Sequence, residues 1–316
     1  MKQLTYKTWV PFAWHGVSMT VPSEWNPGKI TGDEKSGSVR LDDSQMVRLE
    51  LEWKEARGDK RVTQIIDRYV DGLAQNAKKE KRSLQISRNV QLSGLENLRL
   101  ESPEYFVWES GNTIHTLAGY SSETDRLLFI RVMTRPDEDP LQPLETLFGT
   151  ISDTSAESAR SWAIYDLICQ APANYNLESY ELKSGHIQLL FVSANNTVQF
   201  DRLSLAEVLL QNSTLGDWFR EFFSKEIRHV DVNIDDQDTQ THKGIEITGK
   251  PKSRWRGLLQ PLPFWNVRPR RDVSGRAWVC PESNKIYCVQ TSWKKAEESP
   301  DIQICCDSVA CHVKEV

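Results

Sequence analysis

The first half of this 316-residue chain contains no cysteine: all six lie in the second half, five of them between Cys280 and Cys311. No apolar run approaches the roughly 18 residues that a membrane-spanning helix needs, so no membrane partner is expected. The stretch MKQLTYKTWVPFAWHG lacks the continuous apolar core and small-residue cleavage site of a signal peptide. The expectation is therefore a soluble, cytoplasmic protein. In that reducing setting the sequons at Asn195 and Asn212 stay unmodified, and the cysteines form no disulfide framework. No Walker loop, no G-x-G-x-x-G after a strand, no G-x-S-x-G and no H-E-x-x-H occurs. No catalytic residue is assigned, and an enzymatic role has no residues behind it.

With 39% hydrophobic and 26% charged residues, the chain has the balance of a folded globular protein. A net charge of −5 argues against a surface given over to nucleic acid, although a local basic patch is compatible with it. Eleven tryptophans supply large apolar area with one polar handle each, suited to a core or to a binding surface.

The chain also repeats itself loosely. Met19-Thr-Val-Pro22-Ser-Glu-Trp25-Asn26 matches Cys169-Gln-Ala-Pro172-Ala-Asn-Tyr175-Asn176 in apolar, proline, aromatic and asparagine spacing. Residues 1–153 and 162–316 are read as two related domains, joined by a short polar linker at 154–161. In the first, Met46 to Trp53 alternates apolar and polar residues, the pattern of a half-buried antiparallel strand. Val62, Ile65, Ile66, Tyr69, Val70, Leu73 and Ala77 recur at helical spacing, and the basic run Lys78 to Arg82 suits a helix C-terminus. Further strands are expected at Val90–Leu92, Leu95–Leu100, Ile114–Tyr120 and Leu127–Met133, then a short helix at Pro140–Phe148. The second copy follows with strands at Leu167–Cys169, Ile187–Val192 and Val198–Phe200, one long helix from Leu203 to Ile227, a strand at Gly244–Gly249 and a hairpin from Trp278 to Gln290.

That order is an α+β plan of two tandem domains, each an antiparallel sheet covered by helices. The opening strand into Met19-x-x-Pro22-x-x-Trp25, its echo in Cys169-x-x-Pro172-x-x-Tyr175, the helix after the first strands and the late hairpin together resemble a known fold. It is the fold shared by the photosystem II extrinsic PsbP proteins and the Ran-binding Mog-type proteins. The resemblance spans both copies. It implies an α/β/α sandwich in each domain and non-enzymatic docking, and it carries over no site residue.

Two constellations could carry function, both in the second copy. The segment 252–276 holds Arg254, Trp255, Arg256, Trp265, Arg268, Arg270 and Arg271, and the stretch around it, Pro251 to Trp278, runs about a dozen residues longer than its counterpart, Pro103 to Ala118. Arginine forks match carboxylates and phosphates, and tryptophan anchors interfaces, so the expected ligand is a protein partner or an anion. The alternative is a solvated loop that Trp255 and Phe264 staple to the sheet.

The other constellation is Cys280, Cys288, Cys306, Cys311 and His312, a soft-ligand set for a zinc-type ion or a thiol-redox pair. A turn at Ser283-Asn284-Lys285 puts Cys280 and Cys288 roughly opposite each other. Cysteine also serves as a small core hydrophobe. Apart from that zinc no cofactor is expected. Cys311 and His312, adjacent in sequence, point to opposite faces if they lie on a strand. His115, His186, His229 and His242 are read as structural. The acidic run Asp231 to Asp238 lacks the central glycine and terminal glutamate of a calcium loop, and is read as a solvated loop.

Overall fold

The computed structural model describes residues 2–58, 61–88, 90–93, 95, 98–238, 242–252, 271–294 and 300–312. The chain divides into two compact units, Met1–Ser155 with Arg160–Tyr165, and Ala156–Ala159 with Asp166–Val316. Antiparallel sheet dominates both. Among the described residues no helix is long and apolar enough to cross a membrane.

The first unit begins with β1 (Lys2–Gln3), β2 (Trp9–Trp14) and β3 (Val17–Pro22). β2 and β3 form a hairpin turning at His15 and Gly16, both at positive φ (49° and 89°), as a two-residue type I′ turn demands. A Cβ on Gly16 would stand 2.3 Å from the Thr154 carbonyl oxygen, so glycine is required there. Next come β4 (Asn26–Gly32), β5 (Ser36–Asp42), β6 (Val47–Glu55), α1 (Val62–Glu80), β7 (Gln85–Ser87), β8 (Glu101–Ser110), β9 (Asn112–Ser121) and β10 (Arg126–Thr134). The strands form one antiparallel sheet in the order β4-β5-β6-β10-β9-β8-β7. Alternation along β6 buries Leu49, Leu51 and Trp53, and Val62 and Ile66 of α1 pack with Phe106, Ala118 and Tyr120. β11 (Glu138–Asp139) runs parallel to β1; then follow α2 (Leu141–Gly149), β12 (Ser152–Asp153) and β13 (Arg160–Ile164), which flank the β2–β3 hairpin.

The strands expected at Val90–Leu92 and Leu95–Leu100 do not form among the described residues. Leu92 and Leu100 are instead buried outside any strand, each 8% exposed, and the paired strands lie on either side of them, at β7 and β8. The apolar spacing there reported burial, which anchored loops share with strands.

The second unit contains β14 (Leu167–Ala171), β15 (Asn176–Lys183), β16 (His186–Ser193) and β17 (Asn196–Ser204). The single helix expected over Leu203–Ile227 is three short ones: α3 (Ala206–Leu209), α4 (Leu215–Phe222) and α5 (Ser224–Ile227). Leu203 still belongs to β17, and Leu205 takes a left-handed φ of 62°. The Thr214 hydroxyl accepts from the Asp217 N–H at 3.1 Å, an N-cap that starts a new helix inside the apolar pattern. Trp218, Phe219 and Phe223 converge on a core shared with Ile245, Ile247, Ala277 and Cys288, so the pattern is continuous although the helix is not.

β18 (Val230–Asp236), β19 (Gly244–Pro251), β20 (Arg271–Cys280), β21 (Lys285–Lys294) and α6 (Ile302–Asp307) complete the unit. The sheet order is β15-β16-β17-β21-β20-β19-β18, antiparallel throughout, the same path as in the first unit, with helix inserted after the third strand in both. Asp231, Asp235 and Asp236, expected in a loop, lie on the edge strand β18, where charge discourages pairing with another chain.

Candidate metal centre

β19 and β20 pair from Gly244↔Trp278 to Gly249↔Val273. The ladder runs on past the strand end, the Val279 N–H donating to the Lys243 carbonyl at 3.2 Å. One step further, the same antiparallel register sets His242 beside Cys280. Cys280 closes β20, pairs with Lys285 and is 0% exposed, while His242 is 7% exposed.

The other half of the centre arrives from α6. The Asp301 carboxylate caps this helix, accepting from Gln303 N–H at 2.9 Å and Ile304 N–H at 3.3 Å, and Cys305 and Cys306 bury its inner side. Beyond it, the Ser308 hydroxyl accepts from Gln170 N–H at 3.0 Å, and Ala310 bridges to Ile168 of β14, donating to its carbonyl at 3.1 Å. The Tyr287 hydroxyl donates to the Cys311 carbonyl at 3.2 Å while its ring stacks on Trp278. These tethers deliver Cys311 and His312 to the ends of β19 and β20.

His242 Nε2 lies 3.1 Å from Cys311 Sγ, and His312 Nδ1 lies 3.3 Å from Cys311 Sγ and 3.5 Å from Cys280 Sγ. All four ligand atoms fall within 4.8 Å of one another. A tetrahedral ion with metal–sulfur bonds of about 2.3 Å and metal–nitrogen bonds of about 2.0–2.1 Å sets ligand–ligand edges of roughly 3.3–3.8 Å. The three spacings of 3.1, 3.3 and 3.5 Å are near those edges, and the remaining three are no more than 4.8 Å. Two thiolates balance a 2+ charge and two neutral imidazoles complete the set, which is the donor chemistry of zinc.

Burial, then the neighbouring Cys280, pushes the Cys311 thiol up to about 11. A cation held at the centre would reverse that balance by favouring the thiolate. The Glu282 carboxylate accepts from Cys280 Sγ at 3.3 Å. A backbone hydrogen bond and then this thiol hold Glu282 below the ordinary carboxylate range, so a negative charge stands beside the cage.

Of the cysteines and histidine singled out in the sequence, the structure brings together Cys280, Cys311 and His312, and leaves Cys288 and Cys306 apart. Cys288 pairs with Ala277 and Asp201 in mid-sheet and packs in the core with Leu203 and Phe219. Cys306 is buried on α6. Cys280 pairs with Lys285, so it and Cys288 do not face each other: they sit three ladder positions apart, roughly 10 Å along the strands. Cys311 and His312 are not on a strand; a bend at His312 turns both toward the same point.

The fourth member of the cluster is His242, which the sequence alone presents as a structural residue. The signal that finds it is the register, because Gly244 opposite Trp278 implies His242 opposite Cys280. The basic-aromatic candidates Arg254, Trp255, Arg256, Trp265, Arg268 and Arg270 lie outside the described residues. Arg271 begins β20, and its guanidinium donates to the Ser292 hydroxyl at 3.2 Å. In comparisons with known proteins, no family model matches the chain and no curated protein matches it.

Proposed function

We propose that this chain is a zinc-type metal-binding protein, with His242, Cys280, Cys311 and His312 as the ligands of one closed, structural site. The observation that carries the reading is the convergence of two thiols and two imidazoles, from three separate stretches of the second unit, within 4.8 Å. Four protein ligands leave no position for a reacting water, so the ion holds structure instead of performing chemistry. It clasps the segment after α6 to the ends of β19 and β20. Because it binds this folded arrangement and not the loose chain, its binding free energy adds to stability.

The clasp bears on a companion proposal, docking through the segment 252–276. Its residues 252–270 link β19 to β20 at the ends away from His242 and Cys280, so fixing the pair at one end bears on how that segment meets a protein partner or anionic ligand. The identical strand order of the two sheets supports the reading as tandem copies of one plan, of the PsbP and Mog type, for which docking is the usual role.

The metal reading is tested by elemental analysis of protein purified without chelator. The expected result is about one zinc per chain, falling close to zero in Cys280→Ser and Cys311→Ser. Protein that retains no zinc after loading with excess zinc and desalting contradicts the reading.

A further inference from the structure

We propose that Cys280 and Cys311 form an oxidant-responsive pair, which exchanges the metal ion for a disulfide when hydrogen peroxide reaches the site. The inference rests on the metal-site reading above and assigns that site a covalent modification.

Geometry fixes both the pair and the order of events. The two sulfurs belong to one cage whose ligand atoms lie within 4.8 Å, and Cys280 Sγ also reaches the Cys311 carbonyl oxygen at 3.7 Å. Cys280 is 0% exposed, whereas Cys311 is partly open to solvent, so an incoming oxidant meets Cys311 first. The other four cysteines are shut away: Cys169, Cys288, Cys305 and Cys306 are 2%, 1%, 1% and 8% exposed. Burial pushes the Cys305 and Cys306 thiols up to about 12, which keeps them protonated and poor nucleophiles. Cys169 and Cys305 lie close enough to influence each other, and so serve as an internal control that lacks access.

The chemistry balances. The Cys311 thiolate attacks one peroxide oxygen, the S–O bond forms, the O–O bond breaks, and hydroxide leaves to take a proton from solvent. The Cys280 thiolate then attacks the Cys311 sulfenic sulfur; the S–S bond forms, the S–O bond breaks, and the second hydroxide is likewise protonated. Two thiolates lose two electrons, and the peroxide takes them up with two protons to leave two waters. With both sulfurs in the disulfide only two imidazoles remain, too few to hold a zinc-type ion, which passes to solvent. Cys280 ends β20 and Cys311 follows α6, so the disulfide keeps the same segments joined that the ion had joined.

The test uses the full, zinc-loaded chain treated with hydrogen peroxide, with released zinc read by a chromogenic chelator and disulfides mapped by non-reducing digestion and mass spectrometry. Cys305, Cys306 and Cys311 share one tryptic peptide, so fragmentation must place the bond. The expected result is zinc release in step with a Cys280–Cys311 disulfide, both reversed by dithiothreitol and added zinc. Zinc retained while peroxide is consumed, Cys311 carried to sulfinic acid with no cross-link, or a cross-link confined to Cys169 and Cys305 each overturns the proposal. Untreated protein without zinc would instead sink the metal-site reading itself, so the two failures are distinguishable.

Discussion

His242 Nε2 lies 3.1 Å from Cys311 Sγ across 69 residues of sequence. Neither residue belongs to a helix or strand. Each is placed by its neighbours, His242 by the Gly244–Trp278 register and Cys311 by the bridge from Ala310 to Ile168. Replacing His242 removes a proposed ligand without touching a thiol. His242→Ala is expected to weaken zinc binding by more than the roughly 10–100-fold that loss of an outer-shell partner costs. Its melting temperature should barely respond to a chelator that lowers that of the wild type. Competition titration and thermal melts with and without chelator check both, and wild-type affinity in the variant contradicts the assignment.

Cys288 and Cys306 stand outside the His242–Cys280–Cys311–His312 cluster, so the proposed site does not need their thiols. Cys288→Ala and Cys306→Ala are expected to keep full zinc stoichiometry, while losing on the order of 1 kcal/mol of stability from the packing they give up. Loss of zinc in either variant, with circular dichroism unchanged, shows the ligand set to be wrong.

The sequence revealed the alternation of β6 and the helical face of α1 because each lies on one element and the period reports it. It also placed the late turn near Asn284. The break of the helix at Leu205 and Thr214 stayed hidden, since three short helices packing on one core keep a helical period. The centre was half legible. Cys280, Cys311 and His312 stood out by residue type. His242 did not, because its place depends on a register between strands that residues 252–270 separate in sequence. Cys288 misleads for the opposite reason: the turn suggests a pairing with Cys280, and the ladder shifts it by three positions.

Burial holds His115 down to about 4, with Tyr105 Oη 2.8 Å from its Nδ1 and Thr134 Oγ1 3.2 Å from its Nε2. An unfolded histidine titrates near 6.5, so between those values the unfolded chain binds the extra proton. The contribution of neutral His115 to stability is therefore complete above pH 6.5 and is lost as pH falls toward 4. Denaturant unfolding in chelator at pH 7 and pH 4.5 is expected to show a smaller loss for His115→Gln than for the wild type. Equal losses contradict the burial account.

Two ion pairs of the first unit differ in solvent access. Arg126 and Asp153 have side chains 3% and 1% exposed, and Arg126 also donates to the Glu34 carbonyl at 2.8 Å. Arg131 pairs with Glu52, whose side chain is 50% exposed. Asp153→Asn leaves a buried guanidinium without its counter-charge and is expected to cost about 3–5 kcal/mol. Glu52→Gln is expected to cost less than about 1 kcal/mol, because water screens that pair. Equilibrium denaturation ranks them, and similar costs contradict the difference in burial.

X-ray absorption at the zinc edge of the zinc-loaded chain reads the ligand atoms themselves and so decides whether His242, Cys280, Cys311 and His312 hold the ion. The expected result is two sulfur neighbours at about 2.3 Å and two nitrogen neighbours at about 2.0–2.1 Å. A shell of nitrogen and oxygen alone, or one with four sulfurs, contradicts it.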